Sequence, residues 1–237
     1  MKINVNTEDY KYLLEIHAHT APASGCGKLK PEELIKGYSE RGYHGIAITN
    51  HFFPNGNIDV AERLLDDYHE ALECADKYNI KIYLGIDVRF NAQSNNDYLV
   101  FGIDEDFVKE VTLAYPKSLE EFYKRFKNDK NLVIQAHPKR NGMIDMPTEY
   151  LDGIETFNLH YNHNSRVAVA ARYARDNEIL ITTGGTDVHE SPFGLCGTRF
   201  KKMPKDSFEL AEMIKSRDFI LDVAGSIIIP HRFFSKE

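Results

Sequence analysis

The stretch YLLEIHAHT, residues 12–20, places two histidines at alternate positions directly after an apolar run. In a β-strand, side chains two residues apart point to the same face, so His17 and His19 are expected side by side where this strand ends. Two neutral imidazoles aimed at one point can bind a metal ion. A histidine near a strand end is also commonly a hydrogen-bonded core residue, and the rest of the sequence has to separate the two interpretations.

Short apolar runs alternate with longer amphipathic segments along the chain. Strands are predicted at residues 12–16, 45–49, 80–86, 97–103, 131–136, 153–157, 179–183 and 218–223. Helices are predicted at residues 31–42, 58–79, 118–129, 165–177 and 206–217. This alternation is typical of an α/β fold with a parallel sheet, either a barrel or a doubly wound sheet.

Almost every predicted strand ends in a side chain that can bind a metal ion or transfer a proton. These residues are His17, His19, His51, Asp87, His137, Glu155, Asn158, Asp187 and His189. In barrels the chemistry lies where the strands end, whereas a doubly wound sheet gathers ligands only near its switch point. Polar residues at the ends of so many strands therefore favour a TIM-like (β/α) barrel over a doubly wound sheet.

The predicted metal ligands are five histidines and two aspartates: His17, His19, His51, Asp87, His137, Asp187 and His189. A mixed nitrogen and oxygen set suits zinc, manganese or iron better than calcium or magnesium. The set is larger than one tetrahedral site requires. Two or three divalent metal ions are therefore expected, with at least one bridging carboxylate. Cys26 is a further soft donor, or else a small buried residue of a glycine-containing loop.

The composition limits the class of protein and its compartment. The chain has 237 residues, a formal net charge of −7 and three scattered cysteines. The acidic balance disfavours a stable nucleic-acid complex, and the odd cysteine count favours a reducing, cytoplasmic compartment. We expect neither a signal peptide nor a membrane span, because the N-terminus lacks the signal pattern and no apolar run is long enough. With no linker or repeat, residues 1–237 are interpreted as a single domain.

The motifs HAHT, ITNH, GID, AHP and TDVH follow one another in this order between about residues 12 and 200. Together they resemble the polymerase-and-histidinol-phosphatase (PHP) domain family. The resemblance implies a distorted seven-stranded (β/α) barrel that carries two or three metal ions at the C-terminal ends of its strands. It also implies phosphoester hydrolysis, the activity of the stand-alone members.

The resemblance further implies a division of the ligands among three metal positions. His17 and His19 would share a first ion with Asp187 and Asp87. Asp87 would bridge to a second ion that His137 also holds, and His51 and His189 would hold a third.

The chain departs from the family pattern at several of these positions. Asn50 stands where the family has an aspartate, and a neutral amide cannot orient or charge-balance His51 as a carboxylate would. Asp87 replaces a longer glutamate, which alters bridging. Many members of the family have a histidine after the fourth strand, and this chain has only Asp104 near that position. Cys26 lies in the loop where many members have an acid or a histidine.

The sequence therefore predicts a metal-dependent phosphoesterase that hydrolyses a small phosphomonoester, resembling histidinol phosphate or a nucleotide, with a metal-activated hydroxide at a di- or trinuclear site. The predicted catalytic residues are Asp187, His189 and His160, with either histidine a candidate proton donor to the leaving group. The predicted substrate-binding residues are Lys139, Arg140, Asn158, His163 and Arg199. Lysines and arginines at such positions are also commonly exposed surface residues that bind no ligand.

Two other function classes remain open from the sequence. A metal-dependent amidohydrolase also begins with His-x-His after its first barrel strand, but it often adds a bridging modified lysine at a later strand end, where this chain has none. A non-catalytic metal-binding or regulatory module is favoured by Asn50 and by the missing fourth-strand histidine, and disfavoured by the otherwise intact ligand set. Without a Ser-His-Asp order or a P-loop, serine hydrolases and P-loop NTPases are excluded.

Overall fold

The computed structural model describes residues 5–90, 94–191 and 193–234, which form twelve strands and six α-helices. The strands are β1 (Tyr12–Ala18), β2 (Gly45–Ile48), β3 (His51–Phe52), β4 (Lys81–Leu84), β5 (Ile86–Val88), β6 (Tyr98–Phe101), β7 (Leu132–Gln135), β8 (Gly153–Asn158), β9 (Ile181–Gly185), β10 (Cys196–Phe200), β11 (Phe219–Val223) and β12 (Ser226–Ile228). The helices are α1 (Pro31–Ser39), α2 (Asp59–Tyr78), α3 (Glu105–Ala114), α4 (Leu119–Phe126), α5 (Val167–Asp176) and α6 (Ser207–Lys215). Three 3-10 turns lie at Thr7–Asp9, Thr148–Tyr150 and His231–Phe234.

The first sheet has the strand order β12-β11-β10-β1-β2-β4. β1, β2 and β4 run parallel, as the sequence predicted. β10 was not predicted and runs antiparallel to β1, with Arg199 opposite Leu13 and Phe200 opposite Tyr12. Because Tyr12 begins β1, the last residues of β10 lie at the opposite end of the sheet from His17.

The second sheet has the strand order β3-β5-β6-β7-β8-β9. β6 is antiparallel to both β5 and β7, whereas the other neighbours in this sheet are parallel. Asp97, directly before β6, therefore lies at the edge where β5 and β7 end. The predicted α/β class is confirmed, but the prediction of a parallel sheet is wrong in part, because both sheets are mixed. Over the described residues the strands pair as two sheets rather than as one closed ring.

Local capping explains where several helices begin and end. The Ser118 hydroxyl accepts the N–H of Glu121 at 3.2 Å and begins α4, and Asn79 ends α2 with a left-handed backbone at φ 52°. Asp104 caps the unpredicted helix α3, where its Oδ1 accepts the N–H of Phe107 at 2.9 Å. Asp104 is therefore a helix cap and not a replacement for a metal-binding histidine.

The apolar core holds the two sheets in a fixed relation. Leu14 and Ile16 from β1 pack in one cluster with Leu99 from β6 and Ile134 from β7, and all four are fully buried. Burial of each side chain of this size contributes about 1.5–3 kcal/mol. Strand ends from both sheets are thereby held around a common space. Among the described residues, no helix combines the length and the apolar character needed to cross a membrane.

Candidate metal centre

All seven predicted ligands meet at one end of the two sheets, and we call them the donor cluster. Its members are His17, His19, His51, Asp87, His137, Asp187 and His189. Within it, three sets of ligand atoms lie within 4.8 Å of one another: His17 with His137 and Asp187, His17 with His19 and Asp87, and His19 with His51 and His189. Strand ends that are distant in sequence thus present nitrogen and oxygen donors to a shared space.

Asp87 and Asp187 lie between the imidazoles of the donor cluster. Nε2 of His17 is 3.6 Å from Oδ2 of Asp87 and 3.4 Å from Oδ1 of Asp187. Nδ1 of His51 is 3.1 Å from the same Asp87 oxygen, and Nε2 of His137 is 3.7 Å from Oδ2 of Asp187. Each carboxylate therefore lies within 4 Å of imidazoles from two different strand ends.

Several buried donor atoms of the cluster have no hydrogen-bond partner. These atoms include Nε2 of His17, Nε2 of His19 and Oδ1 of Asp87, and the three side chains are fully buried. A buried polar atom left unsatisfied costs free energy, and nearly all such atoms in proteins are paired. Divalent cations would satisfy these atoms at once, so the residues present fit the metal ions that the sequence predicts.

Hydrogen bonds outside the cluster fix which ring nitrogen faces inward. Nδ1 of His17 lies 2.9 Å from Oε1 of Glu155, and Nδ1 of His189 lies 2.9 Å from the carbonyl oxygen of Asp187. Because these oxygens only accept, each Nδ1 carries a proton, and Nε2 is the ring nitrogen left to face a cation. Partners of this kind orient metal-binding histidines and raise their basicity.

Asn50 is linked by hydrogen bonds to His19 and not to His51, the histidine considered in the sequence analysis. Its Oδ1 accepts the Ser24 hydroxyl at 3.0 Å, and Ser24 Oγ lies 3.2 Å from Nδ1 of His19. Because the Ser24 proton is committed to Asn50, Ser24 accepts from His19, which leaves Nε2 of His19 free as a ligand. In the structure Asn50 therefore orients His19 through Ser24, whereas His51 is paired with Asp87.

The charge states of Asp187, His137 and His19 suit metal binding. Burial raises the pKa of Asp187, but His17 and His19 outweigh this and hold the pKa well below its ordinary value. Burial lowers the pKa of His137 to about 3 and that of His19 well below its ordinary value. Ionised carboxylates and neutral imidazoles are the forms that bind cations.

Backbone geometry at two donors is unusual. Asp187 has φ 57° and His137 has φ 29°, a region that residues other than glycine seldom occupy. Strain of this kind collects at functional sites, where the surrounding structure enforces it. At Asp187 it is held by the backbone N–H, which donates to the carbonyl of His17 at 2.9 Å.

Asp97 is a buried carboxylate of the site that the sequence analysis missed. Its two oxygens accept from Nε and a terminal nitrogen of Arg89 at 2.6 and 2.7 Å. Oδ2 also lies 3.4 Å from Arg140 and 3.7 Å from Nε2 of His137. Asp97, His51 and Asp87 form a further group whose ligand atoms lie within 4.8 Å of one another.

Glu15 is a second buried acid that the sequence analysis left without a role. Its Oε1 accepts the backbone N–H groups of His17 at 2.8 Å and Thr186 at 3.0 Å, and its Oε2 accepts the Tyr38 hydroxyl at 2.9 Å. Burial raises the pKa of Glu15 to about 7, although the hydrogen bonds from Thr186 and His17 lower it. Glu15 thus ties β1 to the segment that carries Asp187.

A cleft of about 560 Å³ opens beside the donor cluster, a size typical of small-molecule sites. Its cationic lining consists of Lys28, Arg89 and Arg140, and the exposed rings of Phe53 and Tyr161 also line it. Three basic groups beside carboxylates and imidazoles suit an anionic ligand of small size.

The predicted substrate-binding residues divide between the cleft and other places. Arg140 and His163 line the cleft. Asn158 is buried, and its amide donates to Glu155 at 2.9 Å and to Asp187 at 3.1 Å, so it positions carboxylates instead of facing substrate. Lys139 pairs with Asp145 and lies over the Tyr173 ring, and Arg199 pairs with Asp222 at 2.6 Å. Arg199 is a correction to the prediction, because antiparallel β10 carries it to the far end of the sheet.

His160 lines the cleft with its ring 5.0 Å from that of His189 and 4.2 Å from that of His163. Its Nδ1 accepts the backbone N–H of Asn162 at 3.2 Å. Burial lowers the pKa of His160 to about 4. At neutral pH the ring is therefore neutral and carries its one proton on Nε2.

Cys26 lines the mouth of the cleft together with His189 and His51. The residue is exposed rather than buried, against one of the two interpretations of the sequence. Burial raises the pKa of the thiol, but the hydrogen bonds to His189 and His51 outweigh this and lower it to about 6.

The sequence model of the PHP domain family matches residues 15–224. Among solved structures, a two-domain protein from Bacteroides vulgatus that contains a predicted PHP-like metal-dependent phosphoesterase is 14% identical, with a TM-score of 0.62 over 94% of this chain and 69% of that one. PsfC from Pseudomonas syringae is 14% identical, with a TM-score of 0.59 over 85% of this chain and 87% of that one. An amidohydrolase from Chromobacterium violaceum, with bound sulfate and no metal, is 14% identical, with a TM-score of 0.56 over 92% and 98%. No curated protein gives a significant sequence match. At this identity the structural likeness shows the fold alone.

Proposed function

The chain belongs to the PHP domain family, and we propose that it is a metal-dependent phosphoesterase that hydrolyses a small phosphomonoester at a centre of two or three divalent metal ions. The observation that carries the proposal is the set of unpaired, buried donor atoms on His17, His19 and Asp87, directly beside a cleft with a cationic lining. Imidazole and carboxylate donors in this combination suit zinc, manganese or iron.

The residues of the cleft supply the remaining parts of a phosphoester hydrolase. Divalent ions held by the donor cluster would supply an activated water nucleophile and positive charge beside the phosphoryl oxygens. Arg140 lines the cleft, where it would hold the phosphate group. Nε2–H of the neutral His160 ring would hydrogen-bond the leaving oxygen, and His189 is the candidate proton donor if it does not bind metal. Histidinol phosphate and nucleotides are substrates of suitable size.

An amidohydrolase remains the second candidate, because one structural neighbour bears that name. The contacts of the described residues favour the phosphoesterase. The converging donors are imidazoles and carboxylates, and the lysine that lines the cleft, Lys28, is paired with Glu190. A regulatory module without catalysis is disfavoured by the open cleft beside the donors.

We also propose that the two sheets are halves of a distorted seven-stranded (β/α) barrel. Ala18 at the end of β1 forms a parallel bridge with Val188, which follows β9, and the N–H of Gly85, between β4 and β5, donates to the carbonyl of Ile48 at 3.0 Å. These two contacts lie where the chain passes from one sheet to the other, and they support the proposal. Slow amide exchange at His19, whose N–H donates to Val188, and at Gly85 would support closure. Rapid exchange at either position in the folded protein would contradict it.

We further propose a cytoplasmic setting. Cys26, Cys74 and Cys196 are free thiols in the structure, and an exposed thiol such as that of Cys26 persists best in a reducing compartment. Recovery of the protein in the cytoplasmic fraction would support this setting, and recovery outside the cytoplasm would contradict it.

The test of function is hydrolysis of a panel of substrates by metal-free protein supplied with manganese, zinc or iron. Phosphate release is measured for phosphomonoesters, alcohol release for phosphodiesters, and amine release for N-acyl amides. We expect metal-dependent hydrolysis of a phosphomonoester that is lost in His17→Ala. His69→Ala is the matched control, because His69 is an exposed helix residue paired with Glu105, and this variant should keep full activity. Hydrolysis of amides alone, or activity retained in His17→Ala, would overturn the proposal.

A further inference from the structure

Two aromatic side chains at the mouth of the cleft are exposed to solvent. Among the described residues, the exposed large hydrophobic side chains include only two aromatic ones, Phe53 at 42% and Tyr161 at 57% exposed, and both line the cleft. Phe53 comes two residues after His51, and Tyr161 directly follows His160 in the loop after β8. Apolar surface that a protein leaves in water at a cleft commonly marks a binding site. The place of these rings beside the donor cluster indicates that they contact the substrate bound there.

Both rings are exposed but held by their neighbours. The guanidinium of Arg89 lies 5.8 Å from the centre of the Phe53 ring, within the range of a cation–π contact. The same guanidinium is fixed by two hydrogen bonds to Asp97, at 2.6 and 2.7 Å. The Tyr161 ring stacks on that of His160, with centroids 5.3 Å apart and planes at 9°. Because a ring that is already held loses little conformational freedom on binding, the two rings offer flat surfaces at low entropic cost.

The two aromatic rings lie at the ends of a row of imidazoles. The ring of His51 is 6.0 Å from that of Phe53 and 5.6 Å from that of His189. The ring of His189 is in turn 5.0 Å from that of His160, on which Tyr161 stacks. In the proposed reaction the leaving oxygen lies beside His160 and His189. The alcohol that extends from this oxygen towards the mouth of the cleft therefore meets an exposed aromatic ring.

We propose that Phe53 and Tyr161 bind a planar aromatic ring in the alcohol portion of the substrate, and that they select phosphomonoesters of alcohols that carry such a ring. The inference rests on the proposed function, because it names the substrate class of the same site. Aromatic pairs gain free energy beyond the area that they bury, and every nucleobase has a face that can stack on an aromatic side chain. Phosphate esters of plain sugars or glycerol have no such face and would leave both rings in water. Nucleosides and simple aryl alcohols share this chemistry, and the experiment separates them.

The test compares pairs of substrates that have matched leaving oxygens and differ in the ring. Adenosine 5′-monophosphate is paired with ribose 5-phosphate, and benzyl phosphate with cyclohexylmethyl phosphate. We expect kcat/KM to be about tenfold or more higher for the aromatic member of at least one pair, mainly through a lower KM, since stacking on one side chain contributes about 5- to 150-fold. A preference in the first pair alone assigns nucleotides, in the second pair alone aryl alcohols, and in both pairs any aromatic ring.

Variants of the two rings connect the preference to these side chains. Phe53→Ala and Tyr161→Ala should each lower the ratio of kcat/KM within the preferred pair by about fivefold or more, whereas Tyr161→Phe, which keeps the ring, should retain it. Leu113→Ala is the matched control, because Leu113 is an exposed apolar residue of α3 that does not line the cleft. A disturbance of the fold alone would slow both members of a pair equally and leave their ratio unchanged.

NMR saturation transfer gives a readout that needs neither catalysis nor metal. The probes are adenosine and benzyl alcohol, and saturation passed from the protein to their aromatic protons is measured. We expect transfer to the ring of the preferred class with the wild-type protein and with Leu113→Ala, and its loss in the double variant Phe53→Ala, Tyr161→Ala. Equal kcat/KM within both pairs, or a preference and a transfer that survive in the double variant, would overturn the inference and leave the proposed function standing. A wild-type protein that hydrolyses no phosphoester would overturn both.

Discussion

The carboxylate of Glu155 fixes two histidines of the donor cluster at once. Oε1 lies 2.9 Å from Nδ1 of His17, and Oε2 accepts the backbone N–H of His137 at 3.0 Å. Oε2 also accepts from the Asn158 amide at 2.9 Å. Every neighbour of this carboxylate is a donor, so an acceptor-only side chain is required at position 155.

Replacement of Glu155 by glutamine tests this requirement. Whichever way the amide is turned, its NH₂ group faces a donor from His17 or from His137. We expect affinity for the bound metal ions to fall by about 10–100-fold, the usual cost of losing an outer-shell partner. Competition against a coloured zinc chelator measures the change. Glu149→Gln, at an exposed position, is the control, and equal affinity in the two variants would contradict the role given to Glu155.

Replacement of Asn50 by aspartate, the residue that the family usually has there, is predicted to lower the free energy of unfolding. The Asn50 amide donates to Oγ1 of Thr20 at 2.7 Å, and Thr20 in turn donates to Oδ2 of Asp67 at 2.7 Å. In Asn50→Asp two carboxylates compete for one hydroxyl proton. We expect the free energy of unfolding at neutral pH to fall by about 1–3 kcal/mol, with part of the loss recovered when acid protonates one carboxylate. Urea unfolding measures it, with exposed Asn55→Asp as the control. An unchanged midpoint would rule out this network.

Asp97→Asn removes the charge that pairs with Arg89. Asp97 is fully buried and Arg89 is partly exposed, so we expect the free energy of unfolding to fall by about 2 kcal/mol, within the range for hydrogen bonds to charged groups. Asp145→Asn, at an exposed acid, should change stability much less. If the two variants unfold at the same urea concentration, the ion pair does not stabilise the fold as stated.

Asp97 could not be predicted as a residue of the site because its position depends on the direction of β6. In a parallel sheet, the residues that follow the strands meet at one edge. β6 runs antiparallel to its neighbours, so Asp97, the residue before it, lies at the site. Asp104, which follows β6, lies at the other end of the sheet and caps a helix. Local apolar pattern does not encode strand direction, which depends on pairing between distant segments.

Arg199 shows the same limit, because the sequence around it does not indicate that β10 pairs antiparallel with β1. The histidines were easier to find. His17 and His19 share a face by the two-residue period of a strand, and this relation is local. The roles of Glu155 and Asn50 lie between these cases, since both residues were noticed but their partners could be named only from the packed structure.

The stability of the metal-free protein should depend on pH through Glu15. Its pKa is raised by burial to about 7 from 4.5, so the folded state binds this proton more tightly than the unfolded state. Stability from this group is therefore present below pH 4.5 and is lost as the pH rises to about 7, with a change of about 3 kcal/mol. Glu15→Gln should abolish this component of the pH dependence in urea unfolding between pH 5 and 8. Identical pH dependence in both proteins would contradict the assignment.

The most direct test of the metal centre is the number of ions that the folded chain retains. Metal-free protein would be loaded with Zn²⁺ or Mn²⁺ and desalted, and the bound metal would be counted per chain by mass spectrometry. The wild-type protein and His69→Ala should retain two or more ions, whereas the double variant His17→Ala, His19→Ala should fold, by circular dichroism, and lose them together with phosphatase activity. A wild-type chain that retains no ion, or a folded double variant that retains as many as the wild type, would contradict the account.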